Sequence, residues 1–242
     1  MIPFNILNRL VVKANQVEEL KMFLGAIRGF DSEDKFIDFN KIIPMPEEIK
    51  NTESSSKVDD AIYYYLVNTE QEWLINKILK YSISRMDRFA NFSQEELNEM
   101  FAIGQQYVNN WKRYGAKDWY DWSRINWGTK WNAYNTDLEY IDECEVVIYF
   151  QTAWSGVSDI IKELTERYHQ LIFEYAYSDE DMGYNCGNGY GEDGEFSYTM
   201  YVGGSDEAME IYALCWGYDF GVFYQDEDGH WHNREWEEDS DF

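Results

Sequence analysis

Positive charge is almost missing from the second half of this chain. Residues 137–242 hold 3 lysines and arginines, Lys162, Arg167 and Arg234, against 27 aspartates and glutamates, while residues 1–136 are near balance at 17 against 19. Nearly all of the net charge of −26 therefore sits in the later half. A field of that sign repels nucleic acid and anionic membrane and attracts cations or a basic protein groove. Cysteine is scarce too: Cys144, Cys186 and Cys215 are widely spaced with no C-x-x-C pair, which argues against a disulfide framework and a structural zinc site. The 3 prolines all fall in the first 46 residues. No apolar run approaches the ~20 residues of a membrane helix, and Met1-Ile2-Pro3-Phe4 lacks the basic-then-apolar order of a signal peptide. A soluble protein of the cytoplasm is expected.

What is present is a large apolar and aromatic content, 45% hydrophobic with 10 Trp, 20 Tyr and 14 Phe in 242 residues. A chain of that size can bury about 70% of its unfolded surface, so a packed fold is expected despite the charge. Ile6 to Val12 reads as a strand, and Asn15 with Glu18 as the cap of a helix through Val17, Leu20, Leu24 and Ile27, closed by Gly29. Phe36 to Ile43 reads as a second strand, stopped by Pro44-Met45-Pro46. Residues 47–125 then turn helical: Asp59 to Val67, Trp73 to Ile83 behind a Thr69-x-x-Glu72 box, and a longer helix behind Ser93-x-x-Glu96. Asp118 to Ile125 reads as a short helix and Asn126 to Asn132 as a turn. Cys144 to Thr152 returns as a strand and Val157 to Tyr168 as a helix. Leu171 to Tyr177 and Phe196 to Val202 alternate like an antiparallel pair across a Gly-rich loop. Ser205 caps a last helix, Ala208 to Trp216, ended by Gly217, and the Asp228-Gly229 turn marks a small hairpin. The order predicts an α+β fold: a split β-α-β sandwich with a mainly antiparallel sheet, and a helical insertion at 47–125.

Three stretches carry a resemblance: Phe39 to Glu48 (FNKIIPMPEE), Asn126 to Ala133 (NWGTKWNA) and Phe150-x-Thr152-Ala153-Trp154-Ser155. Together they resemble the YubB/Api92-like proteins of plasmids and phages. The resemblance implies a ferredoxin-like domain over 1–46 and 126–217, leaving 47–125 as the insertion and 218–242 as an acidic, aromatic tail. Two prolines often follow T-A-W-S in that family, whereas Gly156-Val157 stands here, so the helix start is expected to differ. The fold name implies no iron–sulfur cluster, since three scattered cysteines cannot supply four thiolates. No cofactor, no metal and no catalytic residue is expected.

Each motif has a plain alternative. Gly189-Tyr190-Gly191-Glu192-Asp193-Gly194 matches G-x-G-x-x-G, but a phosphate loop must open a helix and here a strand follows, so a loop between strands is expected. Asp179, Glu180, Asp181 and Asn185, with Glu192, Asp193 and Glu195, make an oxygen-rich set suited to calcium, although the EF-hand register fails with Tyr184 where glycine belongs. His230 and His232 would share one strand face without a firm third ligand. His169 fits a helix end. Thr152 and Ser155 have no histidine near them in sequence. Trp111 to Trp131 interleaves tryptophan with Lys112, Arg113, Lys117, Arg124 and Lys130, a mixture able to stack bases, with core packing of Trp119, Trp122 and Trp127 as the competing reading.

The sequence therefore points to a non-enzymatic acidic binder of a phage or mobile element, acting in the host cytoplasm. Its expected partner is a basic host protein that handles nucleic acid, such as a CRISPR or restriction effector, whose groove it would occupy as a nucleic-acid mimic. No direct nucleic-acid contact and no membrane is expected. The contact residues expected from the charge pattern are Asp179, Asp181, Glu192, Asp193, Asp226, Glu227, Asp228, Glu235, Trp236, Glu237, Glu238 and Asp239. A calcium-binding or cation-dependent module on the Asp179–Glu195 loop is the alternative, and an interaction module docking through the helical insertion is a third reading.

Overall fold

A computed structural model of the chain describes residues 5–30, 35–80 and 86–234. In chain order the elements are β1 (Asn5–Ala14), α1 (Val17–Ile27), α2 (Phe39–Ile42), α3 (Glu47–Lys50), α4 (Ser56–Asn68), α5 (Ile75–Ile78), α6 (Gln94–Tyr114) and α7 (Trp119–Asn126). They continue with β2 (Tyr134–Tyr140), β3 (Glu145–Ala153), α8 (Ser158–Arg167), β4 (Leu171–Asp179), β5 (Gly187–Glu192), β6 (Glu195–Met200), α9 (Asp206–Trp216), β7 (Phe223–Gln225) and β8 (Trp231–Asn233). The chain divides into two compact units, Met1–Pro44 with Asn126–Phe242, and Met45–Ile125.

The first unit is built on a six-stranded antiparallel sheet in the order β2-β3-β1-β4-β5-β6. Its β1-α1-β2-β3-α8-β4 core has the strand order of a ferredoxin-like fold, to which β5 and β6 add a hairpin beyond β4. Paired residues share a face, so Ile6, Leu10 and Val12 of β1, Ile148 and Phe150 of β3, and Phe173 and Tyr175 of β4 line one side, all of them buried. That side is roofed by α1 and α8: Phe23 meets the Phe173 ring edge-on at 5.6 Å, and Ile160, Ile161 and Leu164 are fully buried. Each such side chain contributes roughly 1.5–3 kcal/mol by leaving water.

Local chemistry was misleading in four places. Phe36 to Ile43 is not a strand: Asp38 caps the short helix α2 through the Asn40 amide, and both sides of β1 are already taken by β3 and β4. The strand that completes the core is β2, on the far side of the insertion. Gln16, not Asn15, precedes α1, and its side chain makes no cap bond. Thr69 ends α4 instead of opening a helix, its hydroxyl donating to the Tyr65 carbonyl, and a 3-10 turn at Glu72–Leu74 leads into α5. The Gly-rich segment is a strand, so β4 pairs with β5 and only β5 with β6. The hairpin expected about Asp228-Gly229 does form, as β7–β8, and its Phe223 and Trp231 pack with Met209, Tyr212 and Cys215 of α9.

The second unit centres on α4 and α6. Ser93 and Glu96 form the anticipated capping box at the start of α6, and Ile62, Tyr65, Leu66, Tyr107 and Val108 form the core with Leu74 and Ile78. Lys117 pairs with Asp59 at 2.9 Å and Asp118 at 3.2 Å. Burial pulls its ammonium pKa down, but the bond to Asp59 and the charge of Asp118 outweigh it and hold the pKa above its usual value. Among the described residues no helix is long and apolar enough to cross a membrane.

Candidate functional site

The stretches that carry the family resemblance meet in the first unit. The Phe39 amide donates to Asn132 Oδ1 (2.8 Å), Asn132 Nδ2 to Asp38 Oδ1 (2.6 Å) and the Trp127 indole to the Ile43 carbonyl (2.9 Å). Thr129 Oγ1 donates to the Ala153 carbonyl and accepts the Ala153 amide. The Ser155 hydroxyl donates to the Gly128 carbonyl, and Thr152 Oγ1 to the Ser155 carbonyl (2.7 Å). Both hydroxyls that could have been nucleophiles are thus engaged with backbone oxygens, and no histidine is among their partners. Beneath them, fully buried Asn8 donates to Thr152 Oγ1 (2.9 Å) and accepts from the Tyr175 hydroxyl (2.7 Å), which itself accepts the Val157 amide (2.7 Å). A proline at 157, lacking an N–H, could not make that last bond.

Above this network Trp154 holds a left-handed φ of 74°, a costly conformation for a bulky residue. Its carbonyl accepts Asn185 Nδ2 (3.1 Å), and Lys130 lies 4.5 Å from the Trp131 ring centre and 5.0 Å from that of Trp154. Asn8, Tyr175, the Trp154 turn and this lysine clamp escaped sequence reading. A lone asparagine inside the apolar run Ile6 to Val12 was the available signal.

The acidic surface lies on the opposite face of the sheet. From the register, Asp137 and Glu139 of β2, Glu145 of β3, Glu174 of β4, Glu192 of β5 and Glu195 of β6 share the side away from α1 and α8. Arg9 and Lys13 of β1 are on that face too, and Lys13 is held by Glu174 (2.6 Å) and Glu145 (4.0 Å). Those bonds keep the Lys13 ammonium pKa above its usual value, the Glu174 hydrogen bond most of all. Helix α9 covers the side of Ala176, leaving Asp137, Glu139, Glu192 and Glu195 exposed.

The calcium set does not assemble. Asp179 ends β4, whereas Glu192, Asp193 and Glu195 lie where β5 passes Phe173, six residues and about 20 Å along the strand. The Asp179 carboxylate is buried and accepts the Asp181 amide and Asn185 Nδ2, fixing a turn. Among the described residues no three His, Cys, Asp or Glu side chains are placed to hold a metal. The glycine motif resolves into strand and turn. Gly187, Gly189 and Gly191 face the helices, where a Cβ would come within 2.7 Å of Tyr177, 2.5 Å of Phe196 and 2.2 Å of Thr165. Asp193 and Gly194, both at positive φ, close a two-residue hairpin.

Asp181 instead lines a groove with Tyr184, Gly204, His230 and Trp231, beside the β7–β8 hairpin. There Asp226 accepts the amides of Asp228 and His230 and bonds His232 Nε2 at 2.9 Å, so the two histidines share a carboxylate. Glu227 and Asp228 are exposed at the tip. The His232 contact and these amides hold the Asp226 carboxyl down to about 2. A depressed folded-state pKa stabilises the hairpin above the ordinary carboxylate range and ceases to do so as pH falls toward 2. Trp231 fluorescence is therefore expected to hold steady from pH 6 to pH 4 and change below, and Asp226→Asn should abolish that acid limb. Glu235, Trp236, Glu237, Glu238 and Asp239 lie outside the described residues.

The remaining candidates are structural. Trp122 and Trp127 are buried and Trp119 half-buried, while Arg113 pairs with Glu48 and Arg124 lies over Tyr120. Cys186 and Cys215 are buried, and burial pushes both thiols up, away from reactive thiolate at neutral pH.

Residues 126–214 match the family model described as the ferredoxin-like domain in Api92-like protein. A crystal structure of a protein api92 from Yersinia pseudotuberculosis is 8% identical, with 83% of this chain and 98% of that chain covered at a TM-score of 0.42. No curated protein matches the chain.

Proposed function

We propose, for a chain whose residues 126–214 match the model of the ferredoxin-like domain in Api92-like protein, that it acts as a non-catalytic acidic binder. Its partner is a basic protein of the host that handles nucleic acid, with a defence nuclease as the class that best fits a mobile-element setting. The observation that carries this reading is the placing of six carboxylates, Asp137, Glu139, Glu145, Glu174, Glu192 and Glu195, on one sheet face. Carboxylates two residues apart on a strand are about 6.7 Å apart and neighbouring strands about 4.8 Å, separations of the same order as phosphates on a nucleic-acid strand. A rigid sheet holds them there before binding, so little ordering cost remains for the complex. Lys13 already holds Glu174 and Glu145, and mutual repulsion of the exposed Asp137, Glu139, Glu192 and Glu195 is relieved when a partner's lysines and arginines meet them.

Capture of a partner from host lysate is expected to be reversed by duplex DNA. Affinity should fall by roughly a hundredfold or more when salt rises from about 50 to 200 mM, as in displacement of phosphate-like contacts. Changing the six acids to Asn or Gln, with the circular dichroism spectrum kept, should remove the capture. A partner held equally by that variant, or retained against excess DNA, would reject the reading.

A further inference from the structure

The two edges of the six-stranded sheet are built differently. Along β2 the ladder to β3 shifts register between Tyr134 and Asp137, Asn135 turns to a φ of 47°, and Asp137 and Glu139 stand exposed. A bulge and charges are the usual means of blunting an edge against further pairing. β6 has no bulge, proline, lysine or arginine, and its one charge, Glu195, sits at the turn end of the strand and leaves Phe196 to Met200 uncharged. It pairs with β5 without interruption from Glu195 opposite Glu192 to Met200 opposite Gly187, and among the described residues no strand lies on its outer side. Half of its backbone N–H and C=O groups therefore point outward. Its side chains are also uncovered: Tyr198 is 37% and Met200 64% exposed, and Val202 just beyond is 79% exposed.

We propose that β6 is a docking edge that takes an extended, cationic segment of a protein partner as a seventh strand. This rests on the reading above that the acidic half engages a basic protein, and adds how it does so. The register sets the pattern of the guest. Phe196, Tyr198 and Met200 point to the helix side, and Glu195, Ser197 and Thr199 to the open face beside Glu192. A segment alternating apolar residues with lysine or arginine would lay the first against Tyr198 and Met200 and the second against Glu192, Glu195 and the Asp193 turn. Main-chain bonds supply affinity in such strand addition, and alternate side chains supply selectivity. A second copy of this chain is the poorer occupant, because two chains of net charge −26 repel.

Three fluorescein-labelled nonapeptides of the same residue composition test this by anisotropy at low salt: alternating Lys and Val, the same residues in blocks, and the alternating peptide N-methylated at every amide, so that neither of its edges can pair. The alternating peptide is expected to bind about tenfold or more tighter than the other two, since only it can both pair along the edge and put its apolar and cationic side chains on opposite faces. Thr199→Lys, at an exposed position on β6, should weaken that binding about tenfold by blunting the edge. Glu95→Gln, the same charge change at an exposed position in the first turn of α6, should leave it nearly unaltered. Equal binding of all three peptides, weakened by salt, would overturn strand addition and leave the basic-partner reading standing. Absence of binding by any of them would overturn both.

Discussion

Gly104→Ala is expected to lower the melting temperature, although alanine is the better helix former. In the middle of α6 the change should gain about 1 kcal/mol of helix propensity. Against that gain stands the crossing with α4: a Cβ at position 104 would lie 2.1 Å from the Ala61 carbonyl oxygen and 2.6 Å from the Tyr65 Cβ. The first obstacle is backbone, so no side-chain rotation relieves it and the helices must separate. Overpacking of this kind typically costs 1–3 kcal/mol and occasionally more, and here it also loosens the contacts of Tyr65, Phe101 and Tyr107. A net loss of about 1 kcal/mol or more is expected once the propensity gain is subtracted, with valine worse than alanine. Thermal unfolding of the three forms checks the order. An alanine variant melting at or above the parent would mean that the helices do not meet so closely.

Gly104 also shows what kind of information a sequence holds. Caps at Ser93 and Ser205 and the left-handed glycine at 217 were legible because both partners lie within a few residues. The helix α2 was not, since Asp38 and Phe39 are held by Asn132, more than ninety positions away, and an apolar run with β-branched residues reads as strand in isolation. β5 was hidden by the opposite effect. Three alternate glycines weaken strand propensity, yet each vacates the space that Tyr177, Phe196 or Thr165 fills. The period-2 spacing of Gly187, Gly189 and Gly191 was the trace of that strand. The acid count was visible from composition, but which acids share a face depends on register, and register moved Asp179 and Glu192 to opposite ends of the sheet.

Tyr175→Phe is expected to be the most damaging removal of a single atom in the first unit. The hydroxyl donates to Asn8 Oδ1 and accepts the Val157 amide in a place without solvent, and burial holds the phenol well above its usual pKa, so it stays a neutral donor throughout the working range. Phenylalanine fills the same space but leaves one acceptor and one donor unpaired. Each orphaned buried group costs about 1–3 kcal/mol, giving a loss of about 2–5 kcal/mol in urea unfolding with little change in m-value. Asn8→Leu should cost as much, because it frees Thr152 Oγ1 and the Ile6 and Phe150 carbonyls as well. The two changes together should cost less than their sum by 1 kcal/mol or so, since Asn8 and the phenol then no longer strand each other. Loss of less than about 0.5 kcal/mol for Tyr175→Phe would place water in this network. The same variant, measured below its unfolding range, should keep the salt-sensitive binding of the acidic face, because Glu174 and Tyr175 are adjacent on β4 and point to opposite sides of the sheet. Fold and binding would then separate along a single strand, its inward residues holding the shape and its outward residues carrying the charge.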